Sequence, residues 1–281
     1  MELYKYMSAE KFETHIINGP TIRFTPPWEF NDPFEFFPAV KGFYDINVVV
    51  DKAAEIFESH AAKRAEELDL NNETRNRLEE KKADIINKSI EKTIIASSRQ
   101  EYFRNIFKGI GVFSATSEKN NILMWSHYAD SHKGVALIID KENSFFNFSI
   151  TVNIDNNKYE MYKFKFENVT YENNRPERYI DKKLSRKIFY TKYTCWNYEK
   201  EYRYVTLLHN DMPYQWKDIG KGVCSLPKDV IKGVIFGCMC TDEQIEGWRR
   251  QLADKGGFEH LKFYKAEMDK LEYKLNIVPL A

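Results

Sequence analysis

Two rhythms of apolar and polar positions divide this chain. The first has period two and marks strands. Leu3-Tyr-Lys-Tyr6 reads as a short strand, and Ala9–Asn18 as a helix with Ser8 as its N-cap. Gly19-Pro20 ends that helix, and Thr21–Phe24 reads as a second strand. Pro26 and Pro27 then open a loop that carries Trp28-Glu-Phe-Asn-Asp-Pro-Phe-Glu35. From about Ile46 to Phe107 the rhythm becomes helical: glycine and proline vanish, charges dominate, and Ile86, Ile90 and Ile94 fall on one stripe. The Asp69–Thr74 segment interrupts the pattern, which predicts a pair of helices inserted into a β-rich domain.

Strand signals return after Gly109. Gly111–Thr116 and Val135–Asp140 read as strands, with Ser117 capping a helix that runs through Tyr128 between them. Tyr162–Tyr171 predicts a further strand, Pro176–Tyr193 a helix, and 198–208 a strand. Val234–Phe236 is a short apolar strand, Asp242–Leu252 a helix, and Leu261–Tyr264 and Tyr273–Ile277 are closing strands. The expected fold is α+β: one domain over 1–281 with a mixed, largely antiparallel sheet, either whole or split in two, and a helical insertion at about 46–107.

Charge narrows the partners. Lys and Arg number 42 and Asp and Glu 42, so the net charge is zero, which argues against a general binder of nucleic acid or anionic membranes. No apolar run approaches the length of a membrane span, and the expectation is no membrane. The N-terminal residues lack a signal-peptide profile, and Cys195 and Cys224 are isolated. Cys238 and Cys240 form Cys-x-Cys beside an apolar run, which fits a buried thiol better than a zinc site. A cytoplasmic location is therefore expected.

Residues 198–205, Tyr-Glu-Lys-Glu-Tyr-Arg-Tyr-Val, hold the densest chemistry. Strand alternation puts Glu199, Glu201 and Arg203 on one face and Tyr198, Lys200, Tyr202 and Tyr204 on the other. Exposed, such acids and their arginine form an ion ladder of little value to stability; partly buried, they point to a ligand. The Asn31-Asp32-Pro33 segment is either a turn or part of a site in which the Asn31 amide reads a ribose or base edge. In Met124-Trp-Ser-His-Tyr128, His127 could act as a general acid or base, or be a core histidine bonded to a carbonyl or carboxylate. Trp125 and Tyr128 suit a stacking wall or plain core packing, and His132 with Lys133-Gly134 reads as a helix C-terminus.

Taken together, Leu3-Tyr-Lys-Tyr6, Phe30-Asn-Asp-Pro-Phe-Glu35, Phe113-Ser-Ala-Thr-Ser117, Met124-Trp-Ser-His-Tyr-Ala129 with His132-Lys-Gly134, and Trp196-x-Tyr-Glu-x-Glu-x-Arg203 resemble a widespread bacterial and phage family defined only as a domain of unknown function. Some of its members sit near phage-defence genes, and abortive-infection proteins are similar in pattern. The chain also resembles the mono-ADP-ribosyltransferases that carry an Arg, a Ser-Thr-Ser and a Glu-x-Glu in that order. Here these correspond to Arg23, to Ser114-Ala-Thr-Ser117, whose serine motif is interrupted, and to Glu199-Lys-Glu201. That resemblance implies an NAD-using enzyme of a defence or toxin system. Glu201 would stabilise an oxocarbenium-like centre and Glu199 would orient the acceptor. Arg23 or Arg203 would meet the pyrophosphate, while Asn31, Ser114 and His127 would line the pocket. The acceptor, protein or nucleic acid, stays open.

Two other readings stay open. A metal-dependent nuclease could gather Asp32, Glu199 and Glu201 around a cation. However, His127 and His132 are five residues apart and do not share a helix face as zinc ligands, and no specific metal ligand set is expected. The third reading is a non-catalytic module that senses a ligand or binds a partner.

Overall fold

The computed structural model describes residues 2–68, 72–155, 158–180, 182–183 and 185–280. In chain order it begins with β1 (Leu3–Met7), helix α1 (Ala9–Phe12) continued by a π-helical turn over Glu13–Ile17, and β2 (Thr21–Arg23). Next come β3 (Ala39–Gly42) and helices α2 (Ile46–Leu68), α3 (Asn72–Ser97) and α4 (Gln100–Ile106). β4 (Ile110–Thr116), α5 (Ile122–Tyr128) and β5 (Val135–Ile139) follow, then the antiparallel pair β6 (Phe148–Asp155) and β7 (Lys158–Phe164). The short strands β8 (Glu167–Asn168), β9 (Thr170–Glu172), β10 (Glu177–Tyr179) and β11 (Thr191–Tyr193) lead to a 3₁₀ turn at Thr194–Glu199 and to β12 (Glu201–Leu207). β13 (Trp216–Asp218), β14 (Val223–Ser225), β15 (Ile231–Phe236), α6 (Asp242–Lys255), β16 (Lys262–Met268) and β17 (Leu275–Pro279) complete the chain.

The chain divides into two compact units, one of Met1–Asp32, Lys108–Asn174 and Phe189–Ala281, the other of Pro33–Phe107 and Arg175–Ile188. The second unit holds α2, α3 and α4, and a parallel pairing of β3 with β10. Within it Arg178 lies against the rings of Tyr102 and Phe103, and Ile86 is buried while Ile90 and Ile94 are half-buried. The predicted pair of helices is thus three helices. The expected break at Asp69–Thr74 is only partly visible, because 69–71 lie outside the described residues, and α3 begins at Asn72.

The first unit is built on an eight-stranded sheet in the order β17-β16-β15-β5-β1-β4-β12-β8. Its described pairings are antiparallel except β15 with β16, which α6 connects. Five consecutive buried apolar residues, Val135–Ile139, make β5 an inner strand, as expected of a strand covered on both faces. One face packs Leu3, Phe113, Tyr204 and Phe236 with Phe12 of α1 and Trp248 of α6. The opposite face packs Tyr4, Tyr6, Ile138 and Ile235 against Met124 and Trp125 of α5.

β1 pairs with β5 over five residues but meets β4 through Tyr4↔Thr116. Beyond that point Val112 of β4 exchanges backbone hydrogen bonds with Thr25, at 2.8 and 2.9 Å, so the segment after β2 occupies the place that β1 has left. The sheet is therefore opened between β1 and β4, and Lys5 spans the opening by donating to the Ser114 carbonyl at 2.8 Å.

Several local expectations are corrected. Asn121, not Ser117, caps α5, its side chain accepting from the Leu123 and Met124 amides. After α5 the backbone turns left-handed at Asp130, Ser131 and His132, with φ of 48°, 51° and 69°. The strand predicted over Tyr162–Tyr171 breaks into the ends of β7, β8 and β9. Of the helix predicted over Pro176–Tyr193, the described residues form β10, a 3₁₀ turn at Arg186–Phe189, and β11. Pairing of these strands with β3 and β9 overrides the local helical spacing.

The left-handed turn docks on the end of β15. Gly237 donates to the Gly134 carbonyl at 2.9 Å and Met239 to the His132 carbonyl at 3.1 Å. A Cβ on Gly237 would lie 2.0 Å from the His132 oxygen, which is backbone and cannot swing aside. Gly237→Ala is therefore expected to destabilise the fold by about 1–3 kcal/mol. Denaturant melts of the two forms measure it, and an unchanged midpoint would mean that this contact is not tight.

Candidate functional site

The opening between β1 and β4 is a cavity of about 330 Å³. Its walls bring together residues that are remote in sequence: Arg23 from β2, Asn31 from the following loop, Ser114 from β4, Tyr128 from α5, and Glu199 and Glu201. These are six of the ten residues that the sequence nominates.

Glu199 reaches the cavity by a different route from the one expected. It is the last residue of the 3₁₀ turn, not part of a strand, and Lys200 follows in a left-handed conformation with φ 43°. The ladder with β4 starts at Glu201↔Thr116 and continues with Arg203↔Ser114. Glu201 and Arg203 thus share a sheet face with Thr116 and Ser114, while Tyr202 and Tyr204 turn to the other side. Glu199 joins them because the turn is tied to β4, its carbonyl accepting from the Thr116 hydroxyl.

Four charges interlock there. Arg203, wholly buried, donates from Nε to Oε1 of Glu201 at 2.8 Å and from Nη2 to Oε2 at 3.0 Å. Its Nη1 donates to the Phe189 carbonyl at 2.9 Å. Lys192 of β11 bridges the two acids, 2.7 Å from Glu199 Oε2 and 3.3 Å from Glu201 Oε2. Glu199 also accepts from the Tyr128 hydroxyl at 2.6 Å, and the Glu201 amide donates to the Tyr171 hydroxyl at 2.8 Å. Both acids are no more than 5% exposed. Burial alone would raise the Glu201 carboxyl, but Arg203 and Lys192 outweigh it and hold it down at about 2. Tyr128 is pushed far up by burial and by Glu199, so it stays a phenol and a donor.

Three further cations reach the cavity wall. Lys5, Lys11 and Arg23 line it, and burial lowers Lys5 to about 8 despite the pull of Glu201. Arg23 donates to the Lys221 carbonyl at 3.0 Å and pairs with Glu29. With Lys192, four cationic side chains face three acidic ones, Glu29, Glu199 and Glu201, and Arg203 stands behind as a further cation. The balance suits an anionic ligand. Sequence reading missed Lys5 and Lys192. The aromatic and β-branched run Tyr190-Thr-Lys-Tyr-Thr194 is a strand signal that could have located the second.

The remaining nominated residues lie elsewhere. Trp125 is fully buried beneath the sheet, edge-on to Tyr6, with its indole donating to the Lys119 carbonyl at 3.0 Å, so it lines neither cavity described here. Arg203 contributes through Glu201. Asp32 accepts from the Trp196 indole at 2.9 Å. His127 is exposed and lines a second cavity of about 390 Å³ with Cys195, Trp196 and Tyr198; Asn31 and Tyr128 line both cavities. Among the described residues no three His, Cys, Asp or Glu side chains are arranged to hold a metal ion.

Fold and site thus define an α+β protein with a charged cavity set into a mixed, mostly antiparallel sheet. A family model described as a protein of unknown function, DUF2971, matches residues 124–204, from α5 through most of β12. No curated protein and no solved structure matches the chain. The match supports a domain-of-unknown-function family for this segment. No helix among the described residues is long and apolar enough to cross a membrane.

Proposed function

We propose that the cavity binds NAD and that the protein is an ADP-ribosyltransferase-like enzyme of a bacterial defence or toxin system. The observation that carries this reading is the meeting of Arg23, Ser114 and the Glu199–Glu201 pair in one cavity. Transfer of ADP-ribose breaks the bond between nicotinamide and ribose and leaves positive charge on the sugar. Glu201, held anionic across the working pH range, stabilises such charge without exchanging a proton. Arg23 and Lys11 meet the pyrophosphate, and Glu199, oriented by Tyr128 and Lys192, receives the acceptor.

A second reading has its own support. Both Glu201 oxygens already engage Arg203 or Lys192, which damps the field that the carboxylate projects. A ligand-sensing module needs only the cavity. A metal-dependent nuclease has less to stand on, because a divalent cation would have to displace Lys192 and Arg203 from the acids.

NAD consumption by the purified protein tests the proposal, with nucleic acid or lysate supplied as acceptor. Turnover is expected in wild type, lost in Glu201→Gln. Arg23→Ala, at an exposed position that leaves the buried charges intact, is expected to raise KM for NAD about tenfold. NAD binding without turnover would favour the sensor, and neither binding nor turnover would overturn both readings of the cavity.

A further inference from the structure

The second cavity differs from the first in kind. Among the described residues its lining, Asn31, His127, Tyr128, Cys195, Trp196 and Tyr198, includes no acid, lysine or arginine. The rings of Trp196 and Tyr198 lie 6.1 Å apart at 41°, and His127 lies 6.5 Å from Tyr198 at 42°. These groups are held in place. Lys192 Nζ sits 4.8 Å from the centre of the Trp196 ring, whose indole N–H is fixed by Asp32. The Tyr198 carbonyl accepts from the Asn121 side chain at 2.9 Å, which ties the wall to the start of α5. Of the residues that line the cavity, Asn31 and His127 carry side chains that both donate and accept, as reading a base edge requires.

We infer that this cavity is a nucleobase site, taking an uncharged planar ring against Trp196 and Tyr198 with its edge toward Asn31 and His127. The neighbouring cavity strengthens the argument. Across Asn31 and Tyr128 lies a cavity whose lining carries four cations against three acids, and a molecule that joins an uncharged aromatic ring to anionic phosphates through a sugar is a nucleotide. Stacking on aromatic side chains contributes about 1–3 kcal/mol per base and tolerates any base, since each has a π face. The base can come from two sources: the dinucleotide whose phosphates occupy the first cavity, or a separate nucleoside or single-stranded acceptor. The inference deepens the reading above by naming what sits beside Tyr128. It is tested by binding alone, so loss of NAD turnover leaves it standing.

The experiment titrates wild type, Tyr198→Ala and His127→Ala with adenosine and cytidine, and with ribose 5-phosphate as a probe that has no base. Trp196→Phe identifies the fluorescence that belongs to Trp196. Nucleosides are expected to quench that signal in wild type and to bind at least tenfold more weakly to Tyr198→Ala. Ribose 5-phosphate is expected to bind both forms alike. His127→Ala, at an exposed position, keeps the test informative if Tyr198→Ala folds poorly, and a severalfold loss is expected there. Adenosine displaced by NAD would assign the base to the dinucleotide, and adenosine bound alongside NAD would assign it to an acceptor. Nucleosides that leave Trp196 unquenched, or that bind wild type and both variants equally, would overturn the inference.

Discussion

Arg203→Ala is expected to cost the fold about 3–5 kcal/mol, a large part of the stability of an ordinary domain. The guanidinium is fully buried and donates to both oxygens of the Glu201 carboxylate and to the Phe189 carbonyl. Removing it leaves Glu201 charged and buried, with Lys192 and the more weakly coupled Lys5 as the remaining counter-charges. It also removes the hydrogen bond to the Phe189 carbonyl. The penalty therefore lies less in the lost attraction than in the group left behind. The same substitution in a Glu201→Gln background should cost at least 1 kcal/mol less, because the stranded anion is gone. Denaturant unfolding of the four proteins measures both quantities. A cost under about 1 kcal/mol for Arg203→Ala, or strict additivity, would mean that these charges are not coupled in the folded protein.

The second large effect concerns acid. The Glu201 carboxyl stands at about 2 in the folded chain against the usual 4.5, held there by Arg203 and Lys192 against the opposing effect of burial. In acid the unfolded chain takes up the proton first. The carboxylate's contribution, on the order of 3 kcal/mol, is therefore complete above about pH 5, falls as the pH drops, and is gone below about 2. Other carboxylates titrate in the same window, among them Asp269, lowered to about 2 by backbone amides and by Asn276. The informative quantity is thus the difference between wild type and Glu201→Gln. The wild type should lose about 3 kcal/mol more than the variant between pH 5 and pH 2. Parallel curves for the two would show that Glu201 carries no depressed pKa.

The two acids were legible in the sequence, but the cations that define their chemistry were not. Glu199 and Glu201 stand out because carboxylates are rare inside an aromatic and β-branched run. Lys192 and Lys5 are two among 42 lysines and arginines; each sits in a strand-like run, but no local signal marks either as facing a site. Lys192 matters because β11 pairs with β9, and Lys5 because β1 parts from β4. Both are tertiary facts. The inner strands β1, β4, β5 and β15 were readable from their apolar runs, since burial demands such runs wherever the chain passes. β10 was not, because its partner, β3, lies more than a hundred residues away and its own spacing suits a helix. Trp125 illustrates the opposite error. It belongs to a dense motif, yet its N–H is satisfied by the Lys119 carbonyl and its ring by Tyr6, which makes it core.

Tyr128 has a consequence that neither cavity has by itself. Its ring is a wall of both, and its hydroxyl is committed to Glu199. Any ligand that moves the ring from one side alters what the other side can hold, and reciprocity requires the two ligands to affect each other's affinity by the same factor. A single phenol thus gives the molecule the means to answer two concentrations jointly.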